Sequence, residues 1–394
     1  MARPVLLPTI PAMLYIHIPY CAQKCIYCDF YSGGNPDWNA LEHALCQELR
    51  HRLQDSAERD PLGENLTSIY FGGGTPSLMP PDLFMRLTAR LRDILAGHGI
   101  RCDDSAEITI EVNPEDVDMR HIEAWMSGGV NRVSMGIQTL DDTQLKFLRR
   151  RHSARRAIEA ASLLRENFGN INLDIMYGIP RQTLQSLEET LRGLLNLKPD
   201  HISAYSLMYE ERTPLTLLRQ QGKIREADDS LSVEMYRLVS DTLRDGGLCQ
   251  YEISNYAREG YESRHNSGYW HGKPYLGIGP SACSFDGNQT RRANPADIKG
   301  YLSFFSKPNQ GDFYSMERLT EEERCEETIF TALRTMRGIP LQSFRNRFGE
   351  KRLLRLMHDA GKWIDSGDLV VDGDYLHLTQ EGIMRSDAIT VDLI

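Results

Sequence analysis

The sequence predicts an α/β fold: successive parallel β/α units forming either an open partial barrel or a doubly wound sheet, followed by a smaller α+β domain of winged-helix size. Three observations predict it. Short β-branched or aromatic segments alternate with longer helical ones over the first half of the chain. Polar and glycine-rich residues gather just after those segments, where parallel α/β folds carry their chemistry. Towards the C-terminus the alternation gives way to helices and a hairpin pattern.

The strand candidates are 14–18 (LYIHI), 66–71 (LTSIYF), 107–112 (EITIEV), 131–137 (NRVSMGI), 170–176 (NINLDIM) and 201–207 (HISAYSL). Apolar residues recur at helical spacing over 37–54, 81–96, 116–127, 141–148, 154–167 and 183–196, with Asp82 as a candidate cap. Six such units with right-handed crossovers are too few for a complete eight-unit barrel. Beyond residue 208 come a helix near 227–245, the segment QYEISNYA and a Gly- and aromatic-rich stretch over 260–290. Helices at 320–335 and 350–365 follow, then DLVVDGDYLHL with Asp372-Gly373 at its turn. The expected organisation is a lead-in (1–13), a barrel (14–210), an extension (211–310) and a C-terminal domain (311–394).

Composition narrows the function. With 45 basic and 55 acidic residues among 394, the chain lacks the broad basic field of a nucleic-acid binder. No apolar run approaches the ~20 residues of a membrane span. The first residues, MARPVLLPTIPAML, are interrupted by Pro4, Pro8 and Pro11 and are expected to be a short lead-in rather than a signal peptide. The eight cysteines are mostly scattered, which fits a reducing cytoplasm. In that compartment a tight cysteine group more often holds metal than disulfides.

One such group exists: Cys21, Cys25 and Cys28, directly after the first strand. A structural zinc site with His17 as fourth ligand is one reading. It is awkward, because His17 lies inside the strand with Pro19 before the first thiol. The other is a cubane 4Fe–4S cluster, which normally takes four thiolates. Three leave one iron open, and an amino acid's amino and carboxylate groups suit that vacancy.

The C-x3-C-x2-C spacing with Tyr27 before the last cysteine resembles the radical S-adenosylmethionine (SAM) family. The resemblance implies a partial (β/α)6 TIM-like barrel. It also implies that SAM chelates the open iron, and that an electron from the reduced cluster cleaves it to a 5′-deoxyadenosyl radical. FGGGTP after the second strand looks like the family's motif for the SAM amino group. By the same resemblance, Tyr15, Gly73, Gly74, Thr75, Glu111, Gln138, Arg150 and Asp174 match SAM-contacting positions. Carboxylates suit an ammonium and ribose hydroxyls, and a guanidinium suits a carboxylate. Arg149 and Arg151 flank Arg150 and leave its register open.

Across nearly the whole chain, HIPYC, IYCDF, GGGTPS, EVNPE, RVSMGIQT, LRRRH, NLDIMYGIP and YLGIGPSA are similar to the oxygen-independent coproporphyrinogen III oxidases and their heme-chaperone relatives. The oxidases carry a fourth cysteine two residues past the third and a longer N-terminal extension. Here Phe30 stands at that position and fourteen residues precede Tyr15, so the resemblance favours a heme chaperone delivering heme to apo-hemoproteins. Residues 265–270, HNSGYW, match the chaperones' H-N-x-x-Y-W. That match implies His265 as axial ligand, Asn266 as its hydrogen-bonding neighbour, and Tyr269 and Trp270 as wall residues. Without the family, the same six residues read as a polar turn followed by two core aromatics. Arg258, Arg264, Lys273, Arg291 and Arg292 are candidate partners for heme propionates, or solvated charge. Cys283 replaces a histidine common in the chaperones, so a thiol either substitutes as a ligand there or abolishes the contribution. Oxidative decarboxylation of coproporphyrinogen III is the alternative activity. A homodimer through the cluster region and peripheral membrane contact are left open.

Overall fold

Strand order decides between the two architectures. In the computed structural model, which describes residues 12–54, 62–307 and 311–394, six strands lie side by side in chain order. They are β1 (Ala12–Ile18), β2 (Asn65–Gly73), β3 (Arg101–Val112), β4 (Arg132–Gln138), β5 (Ile171–Tyr177) and β6 (His201–Ser206), every neighbouring pair parallel. A doubly wound sheet reverses its order at a switch point. No reversal occurs here, so the β/α units form a partial barrel. It stays open because β1 pairs on its other side with β9 (Tyr275–Ile278) and β6 with β8 (Asn255–Ala257). Strands β7 (Cys249–Glu252), β10 (Cys283–Phe285), β11 (Thr290–Ala293) and β12 (Ser315–Arg318) complete a 12-stranded sheet. Most of the lead-in expected at 1–13 lies outside the described residues.

The crossover helices are α1 (Trp38–Gln54), α2 (Pro81–Gly97), α3 (Met119–Ser127), α4 (Asp142–Phe147), α5 (Ala154–Asn167) and α6 (Leu184–Asn196). The longer ones lay apolar stripes on the sheet; on α2 that stripe is Leu83, Leu87, Leu91 and Leu95. Buried Leu14, Ile16, Val133, Leu173 and Ile202 receive them. Two boundaries differ from the sequence expectation. Strand β3 begins six residues early, its exposed Asp103 and Asp104 hiding the strand pattern. Helix α3 starts at Met119 because Asp118 caps it after a short 3₁₀ turn at Pro114–Asp116.

Helices α7 (Pro214–Gln220), α8 (Asp229–Asp245), α9 (Arg264–Trp270) and α10 (Ile298–Phe305) join the edge strands. The C-terminal domain comprises α11 (Glu321–Leu333), β13 (Ile339–Pro340), α12 (Leu341–Phe348), α13 (Glu350–Asp365), β14 (Leu369–Asp372) and β15 (Tyr375–Leu378). Short helices α14 (Gln380–Ile383) and α15 (Ser386–Leu393) end it. Its core is separate from that of the sheet and includes Ile329, Leu333, Phe344, Leu356 and Leu376. Gly373, at φ 55°, turns the β14–β15 hairpin as its Asp-Gly pair predicts.

Candidate SAM, cluster and ligand site

The three-cysteine loop sits over the C-terminal ends of the central strands. Its thiols are free and partly exposed. Thr75 Oγ1, just past β2, donates to Cys21 Sγ at 3.4 Å, and Arg150 Nη1 donates to Cys25 Sγ at 3.6 Å. Within the loop the Cys28 amide donates to Cys25 O at 3.4 Å, and Lys24 Nζ donates to Phe30 O at 2.9 Å. Burial pushes the Cys28 thiol up to about 11, so iron must displace a firmly held proton there.

Zinc would need His17 as its fourth ligand. His17 is buried, and burial lowers its pKa, so its ring is neutral. Its Nε2 donates to Tyr31 O at 3.3 Å, and its Nδ1 accepts from the Tyr15 hydroxyl at 3.0 Å. Both ring nitrogens are therefore bonded within the protein, so His17 would have to give up one of these bonds to reach a metal.

The strand ends bring together the residues expected to hold SAM. Glu111 ends β3, where Oε1 accepts from the Tyr70 hydroxyl at 2.9 Å and Oε2 from the Gly73 amide at 3.1 Å. Asp174 on β5 accepts from Asn172 Nδ2 at 2.6 Å and from Ser134 Oγ at 3.3 Å. Desolvation raises both carboxyls, Glu111 to about 7. Neither forms an ion pair among the described residues. Arg132 is the cation whose charge both carboxyls feel, and two deep carboxylates outside any ion pair are acceptors that suit an ammonium and a ribose. A β-bulge at Gly136–Gln138 puts Gln138 at φ 71°, a left-handed conformation that turns the end of β4. Arg149, at φ 59°, turns the chain again and sends Arg150 inward. Arg150 Nη2 donates to Asn113 Oδ1 at 2.7 Å and to Gly136 O at 2.5 Å, while its Nε is buried without a partner. Arg151 faces out to Glu115 at 3.7 Å. Of these two arginines, Arg150 is the one directed into the site.

Glu111 carries a pH signature. Its folded pKa lies above the ordinary carboxyl value, so the native state binds more protons than the unfolded state between about pH 4.5 and 7. The associated stability is complete below that window and is lost as pH rises through about 7. Glu111→Gln is therefore expected to flatten this part of the stability profile of the ligand-free protein, measured by urea unfolding between about pH 5 and pH 8.

A cavity of about 990 Å³ opens beside this site, between the sheet and the C-terminal domain. Tyr15 and His17 form its wall on the cluster side, with Phe30, Tyr269, Trp270 and Cys283 among the others. Phe30 is 67% exposed there. The HNSGYW motif is helical, as α9, rather than a turn. Ser263 Oγ caps it by accepting from the Asn266 amide, and buried Glu107 accepts from the Arg264 and His265 amides at 2.9 and 3.0 Å. Tyr269 and Trp270 line the cavity; His265 and Asn266 do not. His265 is 1% exposed, with Nδ1 bonded to Ser68 Oγ and Nε2 to the Tyr269 hydroxyl, both at 2.8 Å. Burial, reinforced by Arg132, lowers its pKa to about 3.

Comparison with known proteins places this arrangement. Profiles of the Radical SAM superfamily and of the HemN C-terminal domain match residues 15–194 and 319–385. The heme chaperone HemW of Bacillus subtilis (strain 168) is 33% identical over 338 residues, covering 85% of this chain and 86% of that protein. The chain belongs to the HemW family. Membership carries with it a 4Fe–4S cluster and SAM, for which the three thiols, the two carboxylates and Arg150 are suited. Another relative is the mitochondrial radical S-adenosyl methionine domain-containing protein 1 of Bos taurus, 34% identical over 97% of this chain and 87% of its own. The fold also matches that of coproporphyrinogen III oxidase (HemN) from Escherichia coli, with a TM-score of 0.80 at 21% identity over 98% of this chain and 91% of that one.

Several residues of the site escaped sequence reasoning. Tyr70 and Asn113 had a signal, since both flank or fall within the glycine and EVNPE motifs. Glu107 and Arg132 had none, being single polar residues inside apolar strands. Of the five basic candidates for propionates, Lys273 and Arg291 line the cavity. Arg258 and Arg264 instead donate to the Pro199 and Ser105 carbonyls.

Proposed function

We propose that this protein is a heme chaperone: it holds heme in the cavity between sheet and C-terminal domain and passes it to apo-hemoproteins. One observation carries the reading. The cavity that Tyr269 and Trp270 of the HNSGYW motif line is also lined by Tyr15 and His17, so a single chamber joins the ligand motif to the cluster side. Its aromatic walls suit a flat macrocycle. The cluster with SAM supplies one-electron chemistry when bound; Glu111, Asp174 and Arg150 hold the cofactor's polar ends beside the cavity. The deciding experiment is hemin titration of reconstituted protein, followed by transfer to an apo-hemoprotein with and without the cluster. Failure of the parent to bind hemin sinks the proposal.

His265 is the proposed axial ligand, and the fold adds a condition. Its Nε2 reaches iron only after the Tyr269 hydroxyl leaves it. His265→Ala is expected to weaken hemin binding at least about tenfold and change the visible spectrum. Tyr269→Phe, which removes the competing hydroxyl, is expected to keep the parent's spectrum. A spectrum unchanged by His265→Ala removes His265 as ligand, and Cys283, facing the cavity, becomes the next candidate.

The alternative activity, oxidative decarboxylation of coproporphyrinogen III, would use the same chamber. Phe30 at the position of the oxidases' fourth cysteine speaks against it. Absence of protoporphyrinogen from fully reconstituted protein given substrate, SAM and reductant excludes it. No described helix is long and apolar enough to cross a membrane. A reducing compartment, the cytoplasm, is the proposed location.

A further inference from the structure

The far wall of the cavity carries a concentration of positive charge that the chain as a whole does not share, its formal charge being −10. Arg324 of α11 and Arg347 of α12 come from the C-terminal domain, and Arg291 of β11 comes from the sheet. Glu327 is the carboxylate paired with both Arg291 and Arg324. The Phe285 ring lies against the same two guanidinium groups, 4.6 Å from Arg324 and 5.7 Å from Arg291. Two cations thus share one carboxylate and one aromatic face, and the third, Arg347, lies over the Phe348 ring. Glu323 and Glu326 also line the wall, and Glu323 is held to its own helix cap by the Thr320 amide and hydroxyl. Arg347 forms no ion pair among the described residues.

Arg324 is the buried member of the group, and one of its nitrogens is unpartnered. The Arg324 side chain is 5% exposed, yet its Nε has no hydrogen-bond partner. Desolvation and the two neighbouring arginines lower its pKa to about 10, a direction that an incoming anion reverses. An arginine so placed forms short, bidentate bonds to a carboxylate with little loss of freedom.

We infer that Arg324 and Arg347, with Arg291, anchor the carboxylate side chains of the cavity's ligand, so that the C-terminal domain recognises the propionate edge of the macrocycle while α9 and the sheet face its ring. The inference rests on the heme reading and adds the division of labour between the domains. Loss of a charge-assisted pair at a desolvated site is worth about tenfold in affinity or more.

The test is titration of the full-length reconstituted protein with hemin and with hemin dimethyl ester, which keeps iron and ring but has no carboxylate. The parent is expected to prefer the diacid by about tenfold or more. Arg347→Gln, at an exposed position, is expected to lose most of that preference while binding the ester like the parent. Arg324→Gln with Arg347→Gln is expected to abolish it. Should the double variant fail to fold, judged by thermal unfolding, Arg347→Gln alone decides. A parent that binds hemin and its diester equally overturns the inference and leaves the heme reading standing. So does an Arg347→Gln variant that weakens both ligands alike or neither. A parent that binds neither removes both.

Discussion

Cys28→Ala is expected to strip the protein of its iron–sulfur cluster. Cys21, Cys25 and Cys28 are the thiols that would hold the cluster, and no other cysteine lies near enough in sequence to substitute, the next being Cys46, buried in α1. The loop has no slack with which to recruit one. Cys21 is tied to Thr75, Cys25 to Arg150, and Lys24 to the Phe30 carbonyl. Iron and sulfide in anaerobically reconstituted protein are expected to fall to background, with the visible cluster absorption gone. The thiol itself is partly exposed and packs no core, so urea unfolding of the apo-protein is expected to shift by less than about 1 kcal/mol. Cluster retention by Cys28→Ala would overturn the assignment of the three ligands.

Gly73→Ala is expected to cost both stability and SAM binding. Gly73 sits at φ 111°, where an L side chain is strained, and an added Cβ would stand 2.5 Å from the His17 ring. His17 cannot yield easily, because its two nitrogens are bonded to Tyr15 and Tyr31. The Gly73 amide also donates to Glu111, so displacing the backbone disturbs one of the carboxylates proposed to hold SAM. A destabilisation of about 2–3 kcal/mol is expected from urea unfolding. SAM affinity, measured by calorimetry, is expected to fall below detection. Gly34→Ala is the control: nothing lies within 4 Å of its added Cβ, and its stability is expected to change by less than about 0.5 kcal/mol. Equal effects at the two positions would refute the steric argument.

These two sites show why parts of the protein are legible in its sequence. The cluster loop and the glycine turn are contiguous runs whose spacing is itself the signal. Gly73 had to be glycine for a local reason, positive φ, although the His17 contact that makes it costly crosses from β2 to β1. Arg150 was legible as one of three adjacent arginines, and only the left-handed turn at Arg149 shows that its side chain runs inward. The α9 segment went the other way. Asn-Ser-Gly suggests a turn, but Glu107, 156 residues from Ser263, accepts its first amides and makes the helix worthwhile.

The His265 expectation illustrates the same division. A histidine in a motif announces a ligand, whereas only packing reveals that Ser68 and Tyr269 already occupy both nitrogens. Two of the basic residues picked from sequence proximity turned to backbone carbonyls elsewhere. The arginines that reach the cavity from α11 and α12 carry no motif at all.

By itself, the sequence determined the alternating β/α units, the three-thiol loop, the glycine turn and the strand-end carboxylates, because each is written in local periodicity or short spacing. Only the tertiary structure decided that strand order is that of an open barrel, that His265 stands behind Tyr269, and that Arg324 and Arg347 share a chamber with the cluster side. Those outcomes depend on which distant segments bury one another, and burial between segments hundreds of residues apart leaves no periodic trace in either.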